Sequence, residues 1–383
     1  MTNTVSVIDK NSDPRLRPLE AVKYWSSFVG EHYLRLPSFG RVRDAVASEL
    51  SRRDLPERGK IQIPKLDPAA ITPEEYRRNY LRPNIPIILK GAAANWPAVQ
   101  KWTPEFFQLN YGSEKVAVRF KTEGVGVESV YIKDVTLSEL IDNVRDGGEY
   151  YASNLEDLFN DNPELRADLS LREVERYSSA HALPGKKKWS IPRKGQILST
   201  QLFISSAKGR AGYHCASGGN FFVQVYGRKR WIFVNARHTP FMYPAIRKDF
   251  FYSSSPVDDR LERDELSAEG YGLYNAVPKY EVVLDPGDVL LSPQWWWHAV
   301  DNLGLSIGVA LRFPTGLFAG NPIYSAMTML SPPLWRHYFN IVRTGWGADA
   351  TVARRIFEPE GAEVRMRFSS SKGIPAKSKA ADR

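Results

Sequence analysis

Hydrophobic positions follow two regimes along the chain. Up to about residue 70 they recur at helical spacing: Val22, Trp25, Phe28 and Val29 within Leu19 to Tyr33, then Val42, Val46 and Leu50 within Phe39 to Arg52. Two helices are predicted, each with one apolar face. Ile61 to Pro68 carries prolines and reads as a connector. Thr72-Pro73-Glu74-Glu75 combines an N-cap, a first-turn proline and a capping-box glutamate, which opens a helix through Leu81. Pro86 to Leu89 is a short apolar strand closed by Gly91. Thr103-Pro104-Glu105 starts another helix, and Thr136 with Glu139 starts a third that stops at Gly147-Gly148.

From Tyr150 onward the pattern changes to strands. Ile197 to Ile204, Asn220 to Val225, Arg230 to Val234, Tyr280 to Leu284, Val289 to Ser292 and Ser306 to Phe313 are short β-branched or aromatic runs. Turns such as Tyr226-Gly227-Arg228 and Asp285-Pro286-Gly287-Asp288 separate several of them. Many short strands joined by such turns predict a mainly β sandwich or barrel with flanking helices. Helical spacing returns after Gly316, in Tyr324 to Leu330 and Leu334 to Val342. The expected organisation is a helical N-terminal extension (1–70), a barrel domain (71–315), a C-terminal helical segment (316–358) and a basic tail (359–383) whose Ser/Lys/Ala composition reads as disordered.

Composition narrows the classes. Of 383 residues 43% are hydrophobic and 25% charged, which excludes wholesale disorder. No apolar run approaches the roughly 18 residues of a membrane helix, and Met1 to Lys10 has no secretory pattern. The single cysteine, Cys215, excludes internal disulfides and cysteine-rich zinc sites. A cytoplasmic protein is the default expectation. The net charge of +9 gathers at Lys186, Lys187, Lys188, Arg193 and Lys194 and in the tail, which reads as a solvated loop and end. Nucleic-acid binding is the weaker reading, since no recognition motif accompanies the barrel.

Two segments carry candidate chemistry. Gly212-Tyr213-His214-Cys215-Ala216 leads into Asn220-Phe221-Phe222 and on to Gly227-Arg228-Lys229-Arg230-Trp231. Asp285-Pro286-Gly287-Asp288 leads through Gln294 to Trp295-Trp296-Trp297-His298. Each ends a strand-forming run on a histidine. A lone barrel histidine is usually a satisfied core residue; two in these contexts shift the balance towards a metal site.

With these blocks, the approach Pro83 to Ala92 and Trp96-Pro97-Ala98, the chain resembles the JmjC (cupin-like) Fe(II)/2-oxoglutarate-dependent oxygenases. In pattern it is closest to the asparaginyl hydroxylase of hypoxia-inducible factor. The resemblance runs from about Tyr76 to Phe313 and implies a double-stranded β-helix of cupin or jelly-roll type with helical N- and C-terminal segments. It further implies Fe(II), 2-oxoglutarate and O2 as cofactors, His214 and His298 as iron ligands, and Lys229 with Tyr151 on the distal carboxylate of 2-oxoglutarate. Arg312 shares a strand face with Ala310, an inward family position. It either joins Lys229 on 2-oxoglutarate, holds a substrate carboxylate, or bends to solvent as a rim arginine.

The likeness breaks where the family has Asp or Glu two residues after the first histidine. This chain has Ala216, and a methyl group cannot bind iron. Ala211 and Ala310 likewise replace polar residues of the related hydroxylase. By strand parity Cys215 faces away from the metal, Ser217 shares that problem, and neither Asp288 nor Asp301 is a persuasive substitute. Some related iron halogenases also have Gly or Ala here, and chloride or bromide binds iron instead. By that analogy Ala216 marks a halide site. The readings left open are a halogenase, an atypical hydroxylase and a catalytically inactive scaffold. The substrate class expected is a small molecule, amino acid or peptide, without membrane involvement. The C-terminal helices, by resemblance, are a homodimer contact.

Overall fold

The computed structural model describes residues 14–121, 129–179, 195–246, 251–316, 319–332 and 335, together with the strand Val364–Arg365. The first two helices form where the periodicity places them, α1 at Pro18–His32 and α2 at Ser38–Ser51. Their buried faces differ from the expectation. Tyr24 and Phe28 are buried with Val46 and Leu50, whereas Val22 and Val42 are exposed. The cause is tertiary. Phe28 stacks on Tyr324 at 5.4 Å, so aromatic contact with the helix Pro322–Met329 decides which face turns inward. The short helix α3 (Pro73–Tyr76) opens with both capping-box hydrogen bonds between Thr72 and Glu75. Thr136 and Glu139 repeat the arrangement at Leu137–Arg145.

Among the described residues, seventeen strands build two sheets. In chain order they are β1 (Lys60–Gln62), β2 (Lys65–Leu66), β3 (Ile87–Leu89), β4 (Lys115–Lys121), β5 (Ser129–Thr136), β6 (Tyr151–Leu155), β7 (Ser199–Ser205), β8 (Arg210–Ala216) and β9 (Gly219–Tyr226). Then come β10 (Lys229–Val234), β11 (Ala245–Ile246), β12 (Tyr252–Ser254), β13 (Lys279–Leu284), β14 (Val289–Ser292), β15 (Trp297–Asn302), β16 (Ser306–Phe313) and β17 (Val364–Arg365). One sheet runs β1-β13-β10-β15-β8-β12-β11; the other runs β17-β5-β4-β6-β7-β16-β9-β14-β3-β2. Stacked face to face, they form the expected jelly-roll, or double-stranded β-helix.

Three expectations need correction. Ile61 to Pro68 is more than a connector, because β1 pairs with β13 and β2 with β3. The long strands β4 and β5 lie in a stretch read only for helices; their alternation was overshadowed by the caps around them. In the tail, Val364–Arg365 pairs with β5, while the rest of the tail, the basic stretch 186–194 and, apart from Trp335, Leu334 to Val342 lie outside the described residues. No helix among the described residues is long and apolar enough to cross a membrane.

The seven-stranded sheet separates two environments. Tyr213, Cys215, Ile232, Val234, Trp297 and Ala299 point outward and pack with Tyr24, Phe28 and Tyr324. Trp231, Phe233, Tyr280 and Val300 point inward towards the other sheet, where Phe222 and Ala310 meet them. Successive residues alternate between the two, as a pleated strand requires.

Candidate metal and co-substrate site

His214 and His298 are cross-strand partners on β8 and β15, with ring centroids 4.2 Å apart. A register shift between His298 and Val300 brings Val300 opposite Ala211, so β8 carries one extra residue around Gly212. Without that bulge, strict alternation would put Arg210 on the same face as His214. With it, Arg210 turns outward and Ala211 inward. Gly212 before the histidine was the visible signal, since glycine within a strand often marks a bulge.

Each imidazole is oriented in the same way. His214 Nδ1 lies 2.8 Å from Gly212 O, and His298 Nδ1 lies 2.9 Å from Trp296 O. A carbonyl acceptor fixes the proton on Nδ1 and leaves Nε2 as a lone-pair donor, the arrangement in which neutral imidazole binds metals. Among the described residues neither Nε2 has a protein partner. Burial lowers both pKa values, that of His214 to about 4, so both rings are neutral at physiological pH. Tyr252 stacks on His214 at 5.1 Å and Trp231 on His298 at 5.4 Å, closing the outer sides of the pair. Tyr252 has no sequence signal; it reaches the site only because β12 adds to β8.

The turn before His298 is shaped with comparable care. Trp295 holds a left-handed backbone, φ 61°, which is strained for a bulky side chain. Three bonds hold it there: its N–H donates to Ala216 O at 3.0 Å, its indole to Ser325 Oγ at 3.0 Å, and Asn84 Nδ2 donates to Gln294 O at 2.9 Å. The carbonyl of Ala216 is thereby tied to the approach of β15, and its methyl group occupies the position two residues after His214. No cluster of three or more metal-ligating His, Cys, Asp or Glu side chains exists among the described residues. The alternatives are engaged elsewhere. Cys215 is buried in the outer core, and burial raises its thiol well above the usual range. Asp301 lies 2.7 Å from Arg210, and Asp288 binds Lys65 Nζ at 2.6 Å and the Gly91 N–H.

Lys229 begins β10 immediately after the turn at Gly227. That turn demands glycine: φ is +66°, and a Cβ would lie 2.1 Å from Leu305 O. The Lys229 ammonium is buried, donates to Asn302 Oδ1 and lies 5.9 Å from the Phe222 ring centroid. Asn302 Nδ2 in turn donates to Gly209 O at 2.5 Å. Burial alone brings the Lys229 pKa down to about 7. Tyr151 borders the same region, with Cδ2 3.4 Å from where a Gly209 Cβ would sit; burial raises its hydroxyl to about 12. Arg312 also turns into the barrel, and its Nε donates to Gln201 Oε1 at 2.7 Å. The structure therefore collects His214, Ala216, His298, Lys229, Tyr151 and Arg312 around one interior. It adds Tyr252, Gln201 and Asn302, which sequence reasoning missed.

The donor set supplies two imidazoles of defined tautomer for a divalent transition metal and omits the carboxylate. The buried ammonium, balanced by a neutral amide alone, fits an acid from solution. A two-sheet jelly-roll with an inward histidine pair defines a cupin-type protein. Residues 73–315 match the family described as "Cupin-like domain", and the chain belongs to that family. It is 26% identical over 255 residues to "Lysine-specific demethylase 8" of Xenopus tropicalis, covering 65% of this chain and 52% of that protein. It is 27% identical over 279 residues to "tRNA wybutosine-synthesizing protein 5" of Gallus gallus, covering 67% and 77%. "Jumonji C domain-containing protein 5" of Drosophila melanogaster is 26% identical over 263 residues, covering 65% and 59%. The chain thus spans about half the length of the first of these relatives.

Proposed function

We propose that this chain is an Fe(II)/2-oxoglutarate-dependent oxidoreductase whose metal is held by only two protein ligands, His214 and His298, and whose third ligand comes from solution. The observation that carries the reading is the pair of imidazoles with Nδ1 locked on carbonyls and Nε2 unpartnered, beside Ala216. Membership of the cupin-like family and likeness to Jumonji C relatives support it. Iron with 2-oxoglutarate and oxygen would supply an oxidant able to take hydrogen from an unactivated C–H bond. The chain's own part is to hold, orient and keep dry. Lys229 would pair its ammonium with the distal carboxylate, and Tyr151 would border the same carboxylate. Trp231 and Phe233 wall off water beside His298.

With no carboxylate at residue 216, the metal keeps a positive charge that an exogenous anion would offset. A halide is the leading version, because it delivers charge through a single atom and fits beside a methyl group. Halogen transfer would then replace hydroxylation. A second reading, a scaffold that no longer turns over oxygen, is favoured by the same missing donor. Anaerobic titration with Fe(II) and 2-oxoglutarate separates them. The enzyme reading expects a visible charge-transfer band that chloride perturbs. A band indifferent to chloride would leave an atypical hydroxylase, and no band under either condition would leave the scaffold.

A further inference from the structure

The barrel holds a second cation without a balancing acid, and it stands apart from Lys229. Arg312 lies on β16 across from Ser199 of β7 and Asn220 of β9. Its Nε donates to Gln201 Oε1, a neutral acceptor that fixes the plane of the guanidinium. Among the described residues its two Nη groups have no acceptor and no carboxylate lies within ion-pair distance. Glu156 is the acid whose charge reaches Arg312, yet its Oε2 accepts from Ser199 Oγ at 2.8 Å. The buried Oδ1 of Asn220 on the same wall also lacks a partner.

Position separates the two cations. Arg312 stands two residues beyond Ala310, whose cross-strand partner Phe222 meets Trp231, the ring stacked on His298, and its charge is felt by both imidazoles and by Tyr151, so its head group faces the interior they share. Tyr252, stacked on His214, also couples to Arg312. Among the described residues no charged side chain acts on Lys229, which sits against Asn302, four residues beyond His298 along β15. At about 3.3 Å per residue that is roughly 13 Å of strand. One small diacid held by Lys229 leaves Arg312 unmatched, and Ala211, Ala216 and Ala310 bring no acid to it. A planar guanidinium with two open Nη donors matches a carboxylate in a two-pronged pairing.

We infer that Arg312 anchors a second anion subsite, and that the molecule oxidised in this barrel is a small acid held by its carboxylate on that guanidinium beside His214 and His298. This rests on the function proposed above for the oxidation and for the occupant of Lys229. The subsite itself rests on Arg312 and Gln201.

The test uses the full chain, stripped of metal in chloride-free buffer, with trifluoroacetate as probe and its 19F line width as readout. Wild type, Arg312→Gln, Arg312→Lys and Lys229→Gln are compared after circular dichroism has checked their folding. The probe is expected to bind wild type and to stay bound when Mn(II) and 2-oxoglutarate are present at saturation. Its affinity should fall about tenfold or more in Arg312→Gln and recover in part in Arg312→Lys. In Lys229→Gln the 2-oxoglutarate-resistant fraction should be unchanged. Displacement of the probe from wild type by 2-oxoglutarate would assign Arg312 to the co-substrate and overturn the inference; that arm needs no variant. Equal probe binding by wild type and Arg312→Gln would overturn it as well. A wild type that binds the probe at Arg312 but never 2-oxoglutarate would sink the co-substrate reading and leave the subsite standing.

Discussion

Lys229 and Arg230 are neighbours on one strand with opposite surroundings. Arg230 faces outward, its Nη2 2.7 Å from Asp259 and its Nε 3.0 Å from Glu281 and 3.6 Å from Asp301. Arg210 joins the same cluster, 2.6 Å from Asp258 and 2.7 Å from Asp301, with a further contact to Asp259. Lys229 faces inward, and among the described residues its ammonium donates to the amide oxygen of Asn302 and meets no acid. On the outer face these two arginines are balanced by the chain's own acids. On the inner face Lys229 and Arg312 are left for something else to balance. Under the function proposed above, the difference separates charges that hold the fold from charges that would meet a ligand, since a buried cation costs stability unless paired.

Breaking the histidine pair has the largest expected effect. His298→Ala leaves one imidazole where two converge, and Fe(II) retention with every 2-oxoglutarate-dependent activity should be lost. Wild-type consumption of 2-oxoglutarate by that variant would show that the pair is not the metal site. The outer network sharpens the comparison from the other side. Asp259 is 1% exposed and serves two arginines, so Asp259→Asn should cost about 3–5 kcal/mol in denaturant unfolding while 2-oxoglutarate affinity is retained.

Lys229→Met should do the reverse. Loss of a charge-assisted bond of about 1.5–3 kcal/mol weakens 2-oxoglutarate roughly 10- to 150-fold, with stability unchanged or raised. The pH profile carries the same signature. Burial lowers the folded-state pKa of Lys229 to about 7, so in the free protein the ammonium persists below that value and is lost above it. Binding an anion above pH 7 must therefore take up a proton. Affinity for 2-oxoglutarate should be level below pH 7 and fall about tenfold per unit above it. The sign for stability is opposite: the unfolded chain holds that proton up to the ordinary lysine range, so this residue makes the unliganded protein more stable as pH rises from 7 towards 10. A titration in which Lys229→Met keeps the wild-type slope would detach the effect from Lys229.

Much of this was legible before the fold was. Caps at Thr72 and Thr136, the turn at Gly227 and the strands Val289–Ser292 and Ser306–Phe313 follow from local chemistry that tertiary contacts leave alone. The inward histidines and the lysine came from motif resemblance joined to strand parity. What stayed hidden depends on pairing across the chain. The buried face of α1 is chosen by Tyr324, almost 300 residues away, and Tyr252 reaches His214 only through the β12–β8 pairing. Asn302 and Gln201 are ordinary polar residues until the sheets place them beside cations. The bulge at Gly212, which turns Arg210 outward, is the one hidden feature whose signal was present in the sequence.

The central claim is that Ala216 leaves a ligand position which an anion from solution completes. Calorimetric Fe(II) affinity under anaerobic conditions with 2-oxoglutarate, in wild type and Ala216→Asp over a range of chloride, tests it directly. The account predicts weak binding by wild type that tightens as chloride rises, and tighter binding by Ala216→Asp that ignores chloride. Identical affinities for the two proteins, both indifferent to chloride, would contradict it.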